Sequence, residues 1–208
     1  MINIAPTAFI GEGSHRVCYE HPEDLNLCIK IGEIDSIEST RERECYKILE
    51  KREISWDALS LFHGLVETNL GTGALCELVR DYDGSISKSL EYYLEKYPQL
   101  TEVTTEEKDV LYTEISRAVG QLKIDLLDNT ILIRSLLPEN VLFKKTSENT
   151  GRLVIIDNIG NTEFFPICNY SKYFSRRKIN RKWGKFERYM LKNHNDNPIT
   201  QKAITSKK

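Results

Sequence analysis

Arg134-Ser135-Leu136-Leu137-Pro138-Glu139-Asn140-Val141-Leu142-Phe143, and then Leu153-Val154-Ile155-Ile156-Asp157-Asn158-Ile159-Gly160, is the stretch on which the fold turns. Pro138 breaks an apolar run, and Val141-Leu142-Phe143 and Leu153 to Ile156 read as a hairpin around the polar loop 144–152. An Asn opens the first strand and an Asp closes the second, with a glycine three residues on. A carboxylate at a strand end beside an amide oxygen offers hard oxygen ligands, the kind magnesium takes in small number while phosphate and water complete its shell. Taken alone, Leu-x-Pro-x-Asn and Asp-x-x-Gly are also ordinary turn chemistry, so their order relative to the rest of the chain decides.

Upstream, Ala8 to Cys18 reads strand, glycine turn, strand, with Gly11 and Gly13 in the turn. A glycine turn lets backbone N–H groups approach phosphate closely. No helix start follows it, which excludes a Rossmann fingerprint, and no Gly-Lys-Ser/Thr follows, which excludes a Walker A loop. Leu27-Cys28-Ile29-Lys30-Ile31 is an apolar strand carrying one lysine, whose ammonium needs a partner if it faces inward. A helix over residues 39–49, capped by Ser39 or Thr40, offers Glu44 as that partner, with Glu42 as the alternative register. Phe62 to Leu70 and Ala74 to Arg80 form a further strand pair across Gly71-Thr72-Gly73, and Asp81-Tyr82-Asp83-Gly84 divides a strand-rich part from a helix-rich part. Helices are expected over 89–97, over about 104–128 with Val110, Leu111, Ile115, Ala118, Val119, Leu122 and Leu126 along one side, and over 170–192. Residues 195–208 read as a polar, frayed end.

The chain of 208 residues is 40% hydrophobic and 29% charged, which suits a globular protein and excludes disorder. No uncharged apolar run reaches the roughly 18 residues of a membrane-spanning helix. The first residues lack a basic, then apolar, secretory pattern. Five cysteines with no CxxC and four histidines at no ligand spacing exclude structural zinc and fit small buried side chains in a reducing cytoplasm. The net charge of −2 conceals a split: residues 172–208 hold 12 Lys/Arg against Glu187 and Asp196, so the rest of the chain carries −12. Nine of those basic residues accompany Tyr173, Phe174, Trp183, Phe186, Tyr189 and Met190 over 172–192. Such a helix either docks on its own acidic body, the favoured reading, or binds nucleic acid or a membrane surface.

In order and spacing, residues 9–160 resemble the protein-kinase-like fold. Gly11-x-Gly13 is similar to its glycine-rich loop, Lys30 to its nucleotide lysine, Glu44 to the helix partner of that lysine, and Glu77 to the start of its hinge. Arg134 to Asn140 resembles its catalytic loop and Asp157 to Gly160 its metal-binding motif. More narrowly, the glycine turn running into Cys18-Tyr19-x-His21-Pro22-Glu23-Asp24, then Cys28 to Ile31, Pro138-x-Asn140 and Asp157 to Gly160, resembles the YrbL family, small bacterial kinase-like proteins linked by name to the PhoP regulatory network. The resemblance implies an α+β, bilobal protein-kinase-like fold. It implies a small antiparallel N-lobe with one helix over 1–80, a reduced, mainly helical C-lobe over 81–194, and a flexible tail over 195–208. It implies ATP and Mg²⁺ as cofactors, Asn140 and Asp157 as metal ligands, an acceptor or regulatory protein as partner, and a cytoplasmic location.

Several positions depart from the kinase pattern. Arg16 stands where the third glycine would be, Ser135 where the proton-accepting Asp would be, and Leu137 where a lysine is usual. No Ala-Pro-Glu segment follows Asp157. A general base contributes about 10²–10⁴-fold, so a kinase lacking it is slowed and not necessarily silent; Asp125 or Asp128 is an alternative carboxylate. The leading expectation is a nucleotide-binding protein with weak or specialised phosphotransferase activity. A catalytically inactive, pseudokinase-type regulatory or scaffold module is the alternative.

Overall fold

The computed structural model describes residues 1–13, 15–161, 168 and 171–205. The N-terminal region is a five-stranded antiparallel sheet with one helix. Its elements are β1 (Phe9–Glu12), β2 (Arg16–Glu20), β3 (Leu27–Gly32), α1 (Ile37–Glu50), β4 (Phe62–Thr68) and β5 (Gly71–Glu77), with strand order β1-β2-β3-β5-β4. Cys18 pairs with Lys30, and Lys30 with Ala74. Opposed residues point to one side of a sheet and every second residue shares a face. Arg16, Cys18, Cys28, Lys30 and Cys76 therefore lie on a common face.

The C-terminal region is mainly helical: β6 (Lys88–Ser89), α2 (Leu90–Glu95), α3 (Thr105–Asp128), β7 (Val141–Lys145), β8 (Gly151–Ile155), α4 (Lys172–Asn193) and α5 (Pro198–Ile204). β6, β7 and β8 form a small antiparallel sheet. The whole is an α+β fold, consistent with a kinase-like bilobal arrangement.

α3 begins where its sequence demands. The Thr104 hydroxyl accepts from the Glu107 N–H, and the Glu107 carboxylate accepts from the Thr104 N–H, which satisfies two otherwise orphaned donors. Leu111, Ile115, Ala118, Val119, Leu122 and Leu126 are buried as the period expects, but Val110 is half exposed. They meet Leu90, Phe143, Trp183, Phe186 and Met190 in one large core that also takes Cys45, Tyr46 and Leu49 from α1. A smaller cluster of Cys28, Ile34, Ala74, Cys76 and Leu78 fills the inner face of the first sheet.

Three expectations need correction. The cap of α1 is Ser36, whose Oγ accepts from the Ser39 N–H at 3.2 Å, so the helix starts two residues before Ser39. The β4–β5 turn lies at Asn69-Leu70, and Gly71 and Gly73 are inside β5. Gly73 is there for space: a Cβ on it would stand 2.5 Å from the Ile29 methyl on β3. Residues 198–204 form α5 in place of a frayed end, with Ile199, Thr200 and Ala203 buried. Polar lettering hid a helix whose few apolar positions all turn inward, onto α3.

Candidate nucleotide site

Lys30 sits mid-strand in β3, and its ammonium reaches across to the C-terminal region, donating to the Ile156 carbonyl at 2.6 Å. Burial works against its charge, but Cys76, Asp157, Cys28 and Glu42 outweigh it and raise the lysine above its ordinary value. The Cys76 thiol is itself raised by burial. The charges that face Lys30 near neutral pH are therefore carboxylates.

α1 supplies Glu42. Positions 42 and 44 lie about 200° apart on a helix, and the structure turns Glu42 inward while Glu44 is exposed. Glu44 thus points away from Lys30; Glu42 is the glutamate on the buried face, and the partner it meets is Arg16. The signal was present: Glu42 shares the buried face of Cys45, Tyr46 and Leu49. Glu42 pairs at 3.0 Å with Arg16, whose Nη2 also donates to the Ser39 Oγ at 2.8 Å. Their side chains are only 17% and 10% exposed, so this is a nearly dry ion pair. Sequence reading registered Arg16 as a lost glycine and Ser39 as a helix cap; both belong to this constellation.

Asp157 ends β8. Its Oδ1 accepts from the Asn158 N–H at 2.7 Å. Burial pushes its carboxyl up, but Lys30, that N–H, Arg16 and a hydrogen bond from Glu42 together hold it below the ordinary value. Glu42 moves the other way: burial and the Asp157 charge push it up, against Arg16 and Lys30. Arg16, Lys30, Glu42 and Asp157 close on one another. The cavity lined by Arg16, Lys30, Ser39, Glu42, Tyr46, Cys76 and Ile156 keeps about 20 Å³, room for about one water.

The segment 132–134 runs beside 158–160. Ile133 bridges Ile159, the Gly160 N–H donates to the Leu132 carbonyl, and the Arg134 N–H to the Asn158 carbonyl. Gly160 has φ +116°, and a Cβ there would stand 3.4 Å from the Arg41 carbonyl of α1, so glycine is what lets the helix close on this turn. Asn140 closes a 3₁₀ turn (Pro138–Asn140), and its carbonyl accepts from the Ile156 N–H at 3.1 Å, which sets it next to Asp157. Ser135 is half buried in the loop before that turn. Lys182 of α4 donates to the Arg134 carbonyl and so steadies this loop from below.

Gly11 pairs with Cys18, and the Gly13 N–H donates to the Arg16 carbonyl at 2.8 Å, closing the turn. Residue 14, at its tip, lies outside the described residues. A Cβ on Gly11 would meet nothing within 4 Å. Glu77 stands apart from the charge cluster. Its carboxylate accepts from the Leu61 N–H at 3.2 Å and lies 3.7 Å from Lys144, tying β5 to β7 beside an open groove of about 430 Å³.

Residues 2–191 match the family described as PhoP regulatory network protein YrbL. The chain belongs to the YrbL family. Two bacterial relatives, each carrying the name Uncharacterized protein YrbL, come from Escherichia coli (strain K12) and Shigella flexneri. Each is 35% identical over 190 residues, covering 89% of this chain and 86% of the relative. No helix among the described residues is long and apolar enough to cross a membrane.

The residues present do not suit a resident magnesium ion as they stand. Magnesium needs open oxygen ligands in octahedral array. Asp157 instead accepts from Asn158 and Glu42 and already faces two cations.

Proposed function

We propose that the chain is a kinase-like regulatory module of the pseudokinase type, reading a nucleotide between its two lobes and transferring phosphate weakly or not at all. One observation carries this. Glu42, the helix partner that a nucleotide lysine uses, is committed to Arg16 at 3.0 Å, while Lys30 donates to the Ile156 backbone at 2.6 Å. Active phosphotransferases need the lysine and the helix glutamate joined. Ser135 supports the same reading, since a serine hydroxyl cannot serve as the carboxylate base. In this reading Lys30 and Arg16 bind polyphosphate charge, the glycine turn covers it, and the apolar face of Cys28, Ala74 and Leu78 takes the base.

The basic helix belongs to the body of the protein. Ile179, Trp183, Phe186 and Met190 are in the core, so Trp183 and Phe186 are not open to stack on nucleic-acid bases, although Tyr173 and Phe174 at the start of the helix are exposed.

The test pairs binding with transfer. ATP is expected to raise the melting temperature of wild type and to leave Lys30→Ala unmoved. Label from [γ-³²P]ATP is expected to stay at the Asp157→Ala background. Wild type that does not shift with any nucleotide overturns the reading. Transfer that vanishes in Asp157→Ala restores an active phosphotransferase.

A further inference from the structure

α4 buries Ser175, Ile179, Trp183, Phe186 and Met190 along one side. Its outer side is different: every exposed charged residue there is Lys or Arg. The one acid of the helix, Glu187, is half-buried, accepts from Trp183 Nε1 at 2.7 Å and lies 3.8 Å from Lys123 of α3. Arg177, Arg181, Lys185, Arg188 and Lys192 follow one another at steps of four, four, three and four residues. At about 100° per residue they keep within an arc of about 80° and span about 22 Å of the helix. Arg177, Lys185, Arg188 and Lys192 have no carboxylate partner among the described residues. Arg176, on the flank, lies 3.6 Å from Asp128 of α3. Phe174, three residues before Arg177, heads the row and is exposed, as is Tyr173, whose ring meets it edge-on at 5.4 Å.

Like charges at helical neighbour spacing destabilise a helix. A row of them left without acids is therefore relieved by an anionic surface from outside. The shape of that surface follows from the fold. With its inner side fixed in the core, α4 presents a straight row on a convex face. Such a row meets a plane along its whole length, whereas the winding backbone of a nucleic acid meets it at a few points and finds no groove to lie in. The exposed aromatic pair suits the headgroup level of a bilayer, where such rings collect.

We propose that the outer side of α4 docks on an anionic phospholipid bilayer. The five cations of the row meet headgroup phosphates, and Phe174 and Tyr173 settle among the headgroups at its end. Docking is reversible, because the apolar side that an inserting helix would offer is already in the core. The chain as a whole carries a charge of −2, so the row must supply the attraction itself. The inference is independent of the nucleotide reading.

The experiment is co-sedimentation of the full chain with vesicles of phosphatidylcholine, and with vesicles of equal parts phosphatidylcholine and phosphatidylglycerol. Wild type is expected to bind the mixed vesicles and not the neutral ones, and to be released by added salt. Each cation near such a surface is worth about fivefold, so Arg177→Gln/Arg188→Gln is expected to weaken binding about thirtyfold. Arg177→Lys/Arg188→Lys keeps the charge and is expected to bind within about threefold of wild type. Arg176→Gln, outside the row, is also expected to stay within about threefold. All four positions of substitution are exposed, and an unchanged melting temperature shows that the fold is intact. Wild type that ignores the mixed vesicles overturns the inference, as does equal binding by the Gln pair. Loss in the Lys pair would mean recognition by the arginine fork and not by charge against a surface, which also overturns it. So does a single-stranded RNA or duplex DNA oligonucleotide that displaces wild type from the vesicles at equal phosphate concentration.

Discussion

Two glutamates on opposite faces of α1 should differ by an order of magnitude in their effect on stability. Glu42→Ala leaves the Arg16 guanidinium in a nearly dry site where, among the described residues, the Ser39 hydroxyl is the acceptor that remains to it. Removing one partner of a buried pair costs about 3–5 kcal/mol. Glu44→Ala removes an exposed carboxylate and should stay within about 0.5 kcal/mol. Urea denaturation of the two variants gives the comparison. Equal losses would mean that Arg16 finds another acceptor or that Glu42 is hydrated. The same pair shows the limit of reading spacing: counting from Lys30 admitted either glutamate, whereas the burial period of α1 admits only the one in phase with Cys45, Tyr46 and Leu49.

Among the elements, α5 is the one that its polar sequence concealed, and Asn197 is what forms it. The Asn197 Oδ1 accepts from the Ile199 N–H at 2.9 Å, and its Nδ2 donates to the Leu94 carbonyl at 3.0 Å, so one side chain caps α5 and fastens it to α2. Asn197→Ala is expected to cost about 2 kcal/mol, the sum of a lost cap and an unmet buried carbonyl. Hydrogen exchange should quicken in α5 while the middle of α3 keeps its protection; an unchanged α5 would mean that Ile199 and Ala203 hold the helix unaided. Elements with strong local grammar were legible beforehand. The capping box and long apolar stripe of α3 and the β7–β8 hairpin lie where periodicity puts them. α5 was not, because the bond that fastens it reaches Leu94, about a hundred residues away, and a long-range partner leaves no local trace. The site was legible in the same unequal way. Lys30, Asn140 and Asp157 stand at marked places in strands and turns, whereas the role of Arg16 depends on how β2 and α1 close on each other.

On the scale of the whole molecule, the two regions share a core instead of merely touching. The segment 58–60 lies along β8: the Ile155 N–H donates to the Ala58 carbonyl at 2.8 Å and the Ser60 N–H to the Ile155 carbonyl at 3.0 Å. The Tyr46 hydroxyl of α1 donates to the Ser60 carbonyl at 3.0 Å, and Cys45, Tyr46 and Leu49 belong to the large cluster built on α3 and α4. What remains to the first sheet alone is the small cluster around Cys28, Ala74 and Cys76, too little apolar surface to offset the chain entropy of about eighty residues. The sheet therefore should not survive once the helical region opens. The two tryptophans lie on the two sides of this argument: Trp56 stacks on Tyr46 near the joining segment, and Trp183 is buried in α4. In urea, far-UV circular dichroism and the fluorescence of Trp183→Phe and Trp56→Phe variants are expected to trace one coincident transition. A Trp56 transition well separated from that of Trp183 would show that the N-terminal sheet, with α1, opens independently. The Lys30–Ile156 bond between the two regions would then part before the protein unfolds, while the Arg16–Glu42 pair, made within the N-terminal region, would persist until that region itself opens.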